Sequence, residues 1–276
     1  GQNTSMAGVT VGMREGMLMN IENPAGLTAL DSCKLFAEAS AFVKNERYRS
    51  DGSSSNAFTG NFSAFSLGGR IMRRWYMSAG VTPYSFVGYY FKSSQELEGS
   101  PGTFVTSTFS GTGGLSKAFL SQGFSLTKHL SVGMNLNFIF GNMTQNEIQS
   151  AMTVSREMSG RSFYADFGLQ YHRPIARETF LTVGAIYGYK QRISLKNTVT
   201  VTGSSTETPY NQKRVTQYLP QYIGIGSSLA HKKWTYALDY LFRQYGVLNS
   251  SDSRVKFRDS HELRLGVCYF PNGFSS

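Results

Sequence analysis

The sequence predicts an all-β protein, a transmembrane antiparallel β-barrel, and three observations lead to this fold class. Segments of roughly ten residues alternate between apolar and small polar side chains, as strands do when one face meets lipid. Aromatic residues make up 14% of the chain and charged residues only 16%, whereas about 25% of an average soluble domain is charged. The links between the alternating segments are short and long in turn, which is typical of the two ends of a membrane barrel.

The segment ahead of the first strand differs from the rest of the chain. It lacks alternation and contains Asn23, Pro24 and Ala25. Pro24 fixes its own φ and disfavours helix at Asn23, so a rigid extended piece is expected here. Such a piece is able to block a lumen, although an ordinary N-terminal turn would have the same sequence.

The alternation is clearest in residues 130–140. Leu130, Met134 and Phe138 share an apolar face there, while Asn135 and Asn137 lie on the opposite face. The same pattern recurs in segments that begin near Phe163, Leu181, Trp234 and Leu263. We predict about ten strands, with approximate bounds of 33–49, 58–70, 74–97, 103–125, 130–149, 161–172, 179–202, 216–229, 234–247 and 259–270.

The connectors between these strands form two classes. Long polar links contain SDGSSSNA, ELEGSPG, residues 149–160, GSSTETPYNQKR and LNSSDSRVKFRDS, whereas the short basic links are IMRR, LTKH, RPIARET and AHKK. Long external loops and short periplasmic turns are the pattern of an outer-membrane barrel. A soluble sandwich would carry many Lys and Glu residues on its outward face, but the polar face here is mainly Gly, Ser, Thr and Asn.

Other classes of protein are disfavoured by composition. The chain has no apolar run of about 20 residues, and its mean hydropathy of −0.26 excludes a helical membrane protein. The net charge of +10 is scattered among turns, which suits a phosphate-rich membrane surface better than nucleic acid. No charged-then-apolar leader opens the chain, as expected of a mature exported protein.

No catalytic residue, metal ligand or cofactor is predicted. The four His residues fall near predicted strand ends, and no Ser and Asp arrangement accompanies them. Cys33 and Cys268 lack metal-ligand spacing and are expected to be buried thiols, although whether they pair is open.

Several pieces of the sequence, in this order, resemble FadL-type outer-membrane transporters, in particular Bacteroidota members. They are the Ser-Met-Ala-Gly start, the motif Asn-Pro-Ala at residues 23–25, VTPYSFVGYYF at 81–91 and the run at 111–142. The resemblance implies a barrel of fourteen strands in the outer membrane of a Gram-negative bacterium. It also implies an N-terminal hatch (residues 1–31) inside the lumen and a barrel (residues 32–276) that lacks its last strands in this chain.

The resemblance implies a channel for uptake of hydrophobic small molecules such as fatty acids, by capture in the lumen and lateral release. The alternative is a non-transporting accessory subunit of a larger outer-membrane complex, in secretion or barrel assembly. The expected partners are outer-membrane lipids, a hydrophobic ligand and other outer-membrane subunits, with no nucleic acid.

The lateral gate of such a channel would need a kinked strand. Pro83 is the first candidate, because it cannot donate a ladder hydrogen bond, and Gly111, Gly113 and Gly114 are the second. Both sets would equally serve to bend strands so that the barrel closes. By strand parity, the aromatic residues expected to line a ligand path, or simply to fill the lumen, are Phe36, Phe42, Tyr76, Tyr84, Phe86, Tyr90 and Tyr164.

Overall fold

Nearly all of the described chain is strand. The computed structural model describes residues 8–16, 19–30, 35–50, 53–96, 99, 102–149, 152–203, 207–248 and 256–269, with side chains except at 42–50, 53–61, 63 and 207–215. One antiparallel sheet contains β1 Leu35–Ser50, β2 Ser53–Met72, β3 Trp75–Phe86, β4 Tyr89–Glu96, β5 Phe104–Ser125, β6 Leu130–Gln149, β7 Met152–Ala176, β8 Thr179–Gly188, β9 Gln191–Thr202, β10 Glu207–Leu219, β11 Gln221–His231, β12 Trp234–Gln244 and β13 Ser260–Tyr269.

Along the chain, the described strands cross from one end of the barrel to the other ten times. This confirms the ten predicted strands and their order. Three crossings are each interrupted once: between β3 and β4, between β8 and β9, and between β10 and β11. The last interruption is at Pro220, which has no N–H to give to a ladder. In the described part of the chain no pairing joins β1 to β13, so these two strands form the edges of the sheet.

The predicted long loops are mostly extended hairpins instead. β1 and β2 pair as far as Ser50 and Ser53, and β6 and β7 pair as far as Gln149 and Met152. β10 takes up most of GSSTETPYNQKR and pairs with β9. The sequence of these stretches is mostly polar, so the alternation that marks a lipid-facing strand is missing. Their backbone groups nevertheless pair most simply with the neighbouring strand.

The predicted orientation of the side chains is confirmed for β6, β12 and β13. Phe138, Trp234 and Leu265 are 41%, 45% and 65% exposed on the outward face, whereas Asn137 and Asp239 are fully buried on the inward face. Apolar side chains outside and polar ones inside are the reverse of a soluble sandwich and match a barrel in lipid.

One short 3-10 helix, Pro24–Ala29, precedes β1 and contacts β3, β5, β6 and β7. No helix among the described residues is long and apolar enough to cross a membrane.

Candidate functional site

A segment ahead of β1 lies inside the curved sheet; we call its described residues, 8–16 and 19–30, the lumen segment. Val9 packs with Met13 and Ala237, and Val11 packs with Ile186 and Leu241. Further along, Met19, Leu27 and Leu30 pack on Tyr76 and Phe36. The segment therefore contacts opposite parts of the inward face, from β1 and β3 to β12.

Asn23 joins the two halves of the lumen segment. Its side-chain amide donates to the carbonyl of Val11 at 2.7 Å and to that of Leu169 on β7 at 3.3 Å. Its side-chain oxygen accepts from the N–H of Ala25 at 3.2 Å and caps the 3-10 helix, in which Pro24 is the first residue. All three residues of the Asn-Pro-Ala motif are buried.

Glycines on the wall allow the backbone of this helix to approach closely. Gly123, Gly133 and Gly168 are neighbours in register on β5, β6 and β7. A Cβ at Gly133 would overlap the backbone of Pro24, and one at Gly168 would overlap the side chain of Asn23. Glycine in a strand often marks such an approach. In the sequence these glycines are simply part of the small polar face of their strands, and only their inward positions on consecutive strands could have indicated the close approach.

Asp239 on β12 holds the lumen segment through three hydrogen bonds. Its carboxylate accepts from the backbone N–H groups of Thr10 at 2.6 Å, Val11 at 2.8 Å and Gly12 at 3.3 Å. Hydrogen bonds to an ionised acceptor are roughly twice as strong as neutral ones. Strand parity placed Asp239 in the lumen, but its partners are 227 to 229 residues away in the chain and no pattern in the sequence links them.

Further polar contacts hold the other residues of the segment. Arg264 donates to the carbonyl of Gly8 at 2.7 Å and pairs with Glu22 at 3.2 Å. Gln170 donates to the carbonyl of Met13 at 2.9 Å, and the hydroxyls of Thr28 and Ser131 lie 2.8 Å apart.

A buried polar cluster lies next to the segment. The Asp166 carboxylate accepts from the amides of Asn135 at 2.6 Å and Asn137 at 2.8 Å. Asn135 also donates to the carbonyl of Ile21 at 2.8 Å. The cluster thereby connects β6, β7 and the lumen segment.

An apolar patch covers the inward wall on the long-hairpin side of this cluster. It lies on β5, β6, β7, β9 and β10, and four of its residues are buried and three are partly buried. Its residues, which we call the upper patch, are Leu115, Ile139, Met143, Tyr164, Ile193, Leu195 and Leu219.

The predicted aromatic residues divide into three groups. Phe36 and Tyr76 pack on the lumen segment, Tyr164 belongs to the upper patch, and Tyr84 lies at the bulge of β3 and is 41% exposed. The side chain of Phe42 lies outside the described residues. That any of them binds a ligand stays a prediction.

The inward orientation predicted for Phe86 and Tyr90 is wrong. A bulge between Pro83 and Ser85 shifts the register, and an extra residue moves all later side chains to the other face. Phe86 and Tyr90 consequently pair with Gly114 and Ser110. These two residues lie on the outward face of β5, so Phe86 and Tyr90 also face outward.

The two candidate gates differ in their pairing. The described register of β2 with β3 ends at Phe65 and Val81, and for residues 83–86 the described register links β3 to β5 alone. Gly111, Gly113 and Gly114 pair with β6 on one side, and the ladder to β3 and β4 continues past them on the other. The wall is thus closed at these glycines, and Gly113 has φ +102°, a conformation that favours glycine.

The cysteines and possible metal ligands add no site. Cys268 is a free thiol that packs on the cluster of Val9, Met13 and Ala237, and Cys33 lies outside the described residues. Within the described ranges no group of three or more His, Cys, Asp or Glu side chains could hold a metal ion.

Solved structures with this architecture are outer-membrane channels of Gram-negative bacteria. The Pseudomonas putida toluene transporter TodX is similar with a TM-score of 0.64 and 14% identity, over 98% of this chain and 79% of that one. The Ralstonia pickettii toluene transporter TbuX has a TM-score of 0.60 and 14% identity, over 97% and 81%. A Pseudomonas aeruginosa FadL homologue has a TM-score of 0.55 and 13% identity, over 97% and 75%.

Identities this low show the fold, that of a FadL-type outer-membrane barrel, and the outward apolar face places the chain in the outer membrane. No curated protein matches the sequence. The BamG family, in contrast, matches all of residues 1–276. The chain belongs to the BamG family.

Proposed function

We propose that this protein is an outer-membrane channel for hydrophobic small molecules, fatty acids among them, which captures them in the lumen and releases them sideways. The observation that carries the proposal is the upper patch, an apolar cluster on the inward wall that contains no residue of the lumen segment. The similar structures named as a monoaromatic hydrocarbon channel and as toluene transporters support this substrate class.

The lumen segment serves as the hatch in this proposal, and Pro83 marks the exit. Pro83 supplies no N–H to a ladder, and the register of β3 with β5 shifts directly after it. Met19 of the lumen segment accepts a hydrogen bond from Ser78 of β3 at 3.4 Å and lies against Gly68 of β2. In this proposal the lumen segment covers this part of the wall until a ligand displaces it.

The second candidate is a non-transporting accessory subunit of a larger outer-membrane complex. The observation in its favour is the firm attachment of the lumen segment through Asp239, Arg264, Gln170 and Asn23. A permanently filled lumen suits a scaffold, whereas a channel must populate a second arrangement of the segment.

A disulfide lock tests the first proposal against the second. Thr28→Cys and Ser131→Cys, in a Cys33→Ser, Cys268→Ser background, replace two hydroxyls 2.8 Å apart, close enough for a disulfide. In a channel with a mobile hatch, oxidation should lower the uptake of a labelled long-chain fatty acid or toluene into liposomes, and reduction should restore it.

The single-cysteine variants Thr28→Cys and Ser131→Cys are the controls, and their uptake should be the same with and without the oxidant. Uptake that is equal in the locked and reduced double variant would contradict a moving hatch. Wild-type protein without uptake above empty liposomes that purifies together with other outer-membrane subunits would favour the accessory role.

A further inference from the structure

The short-turn end of the barrel carries a concentration of positive charge. Four described turns at this end, residues 70–74, 126–129, 173–178 and 231–233, contain eight Lys or Arg residues and one Glu, and all are exposed. We call these cations the basic rim; they are Arg70, Arg73, Arg74, Lys128, Arg173, Arg177, Lys232 and Lys233. Within the described part of the chain none of them takes part in a salt bridge.

Aromatic side chains lie next to the basic rim, on the outward face. Trp75 directly follows Arg74 and stacks on Phe124, with ring centroids 5.9 Å apart. Trp234 directly follows Lys233 and contacts Tyr269 at 4.9 Å. Aromatic girdles of membrane barrels lie at the level of the lipid headgroups. The cations beyond them are therefore at the depth of the phosphates.

The opposite end of the barrel carries charges of both signs. The exposed cations there include Lys92, Arg156, Lys196, Lys256 and Arg258, and they are interspersed with the exposed anions Glu96, Glu147, Glu157 and Asp259. The turns of the basic rim are instead almost free of acidic residues, and their short length identifies this end as the periplasmic face.

We propose that the basic rim binds the headgroups of anionic phospholipids in the periplasmic leaflet. Each Lys or Arg near a membrane surface contributes about 1 kcal/mol of attraction to anionic lipid, and Arg adds bidentate hydrogen bonds to phosphate. The four turns surround the barrel end, so several lipids are held at once as an annulus rather than one lipid in a pocket. This role is independent of whether the lumen conducts a ligand.

Tryptophan fluorescence tests the proposal, because both tryptophans of the chain, Trp75 and Trp234, adjoin the basic rim. The folded full chain is reconstituted in bilayers that contain either brominated phosphatidylglycerol or brominated phosphatidylcholine, each mixed with non-brominated phosphatidylcholine. Quenching should show about a fivefold preference for the anionic lipid at low salt, with a marked decrease at high salt. The fourfold variant Arg73→Gln, Arg74→Gln, Lys232→Gln, Lys233→Gln should lose most of the preference.

The matched control is Lys92→Gln, Arg156→Gln at the opposite end, which should keep the preference. Heat-modifiable gel mobility verifies that each variant is folded. Equal quenching by the two lipids in the wild-type protein would overturn the proposal, as would an equal decrease in both variants. A protein that binds to the wild-type chain but not to the fourfold variant, without any lipid preference, would assign the rim to a protein partner and likewise overturn it.

Discussion

At the scale of single residues, the lumen segment depends most on Asp239. A buried carboxylate is costly unless it is hydrogen-bonded, and here three consecutive N–H groups of residues 10–12 satisfy it. Gly226 leaves room for this arrangement, because a Cβ there would overlap the Asp239 carboxylate. Without these N–H groups the Asp239 carboxylate would be buried without a partner. Without Asp239 the three N–H groups would lose their acceptor.

Asp239→Asn should loosen the lumen segment without unfolding the barrel. The amide keeps the size of the side chain but removes the charge and turns an NH₂ group toward the backbone donors, at a cost of about 2–3 kcal/mol. In the wild-type protein the Arg14 side chain donates a hydrogen bond to the Thr28 hydroxyl at 2.8 Å. The rate of trypsin cleavage after Arg14 should increase on the order of 30-fold or more in the variant.

Asp259→Asn is the control for this prediction, because Asp259 also accepts a backbone N–H, from Gly246 at 2.6 Å, but at an exposed position. Cleavage after Arg14 should be unchanged in it. An Asp239→Asn protein as resistant to trypsin as the wild type would show that the other contacts suffice.

At the scale of elements, each strand has one face toward lipid and one toward the lumen, so apolar and polar side chains must alternate along it. The alternation on β6 runs from the short turn to Phe140, and its outward residues Leu130, Leu136 and Phe138 pair with outward residues of β7. A bulge breaks this rule locally. On β3 the extra residue near Pro83 exchanges the faces, which is why parity misplaced Phe86 and Tyr90.

Leu136→Arg should destabilise the barrel by about 2–4 kcal/mol, because Leu136 is outward-facing near mid-bilayer, whereas Leu130→Arg beside the turn should cost about 0–1 kcal/mol. Both lie on the outward face of β6, so they differ mainly in depth. The free energy of unfolding from urea titrations in lipid vesicles measures each cost. Similar costs at the two positions would argue against a lipid-facing β6.

At the scale of the whole molecule, the lumen segment and the wall form one buried interface. Gly123, Gly133 and Gly168 have no side chain to fill the space that the segment occupies. The wall is consequently complementary to the segment, and we expect its removal to leave an aqueous passage.

Deletion of residues 1–30 should convert a silent barrel into a conducting one in planar lipid bilayers. The full-length chain should show no steady ion current, since residues 8–16 and 19–30 fill the lumen between β3 and β12. The Asp239→Asn protein should show brief openings. Absence of current from a folded deletion variant would mean that the inward side chains close the lumen by themselves.

The sequence alone determined the class of the fold, the order of the ten crossings and the face on which most side chains lie, because lipid on one side imposes a period of two that any single strand displays. It also indicated the Asn-Pro-Ala segment as separate from the barrel. Tertiary structure alone decided what depends on distant pairs of residues. Asp239 meets residues 10–12, three glycines accommodate the 3-10 helix, and the bulge at Pro83 exchanges the faces of β3. Such contacts follow from register and curvature, which leave no local pattern in the sequence.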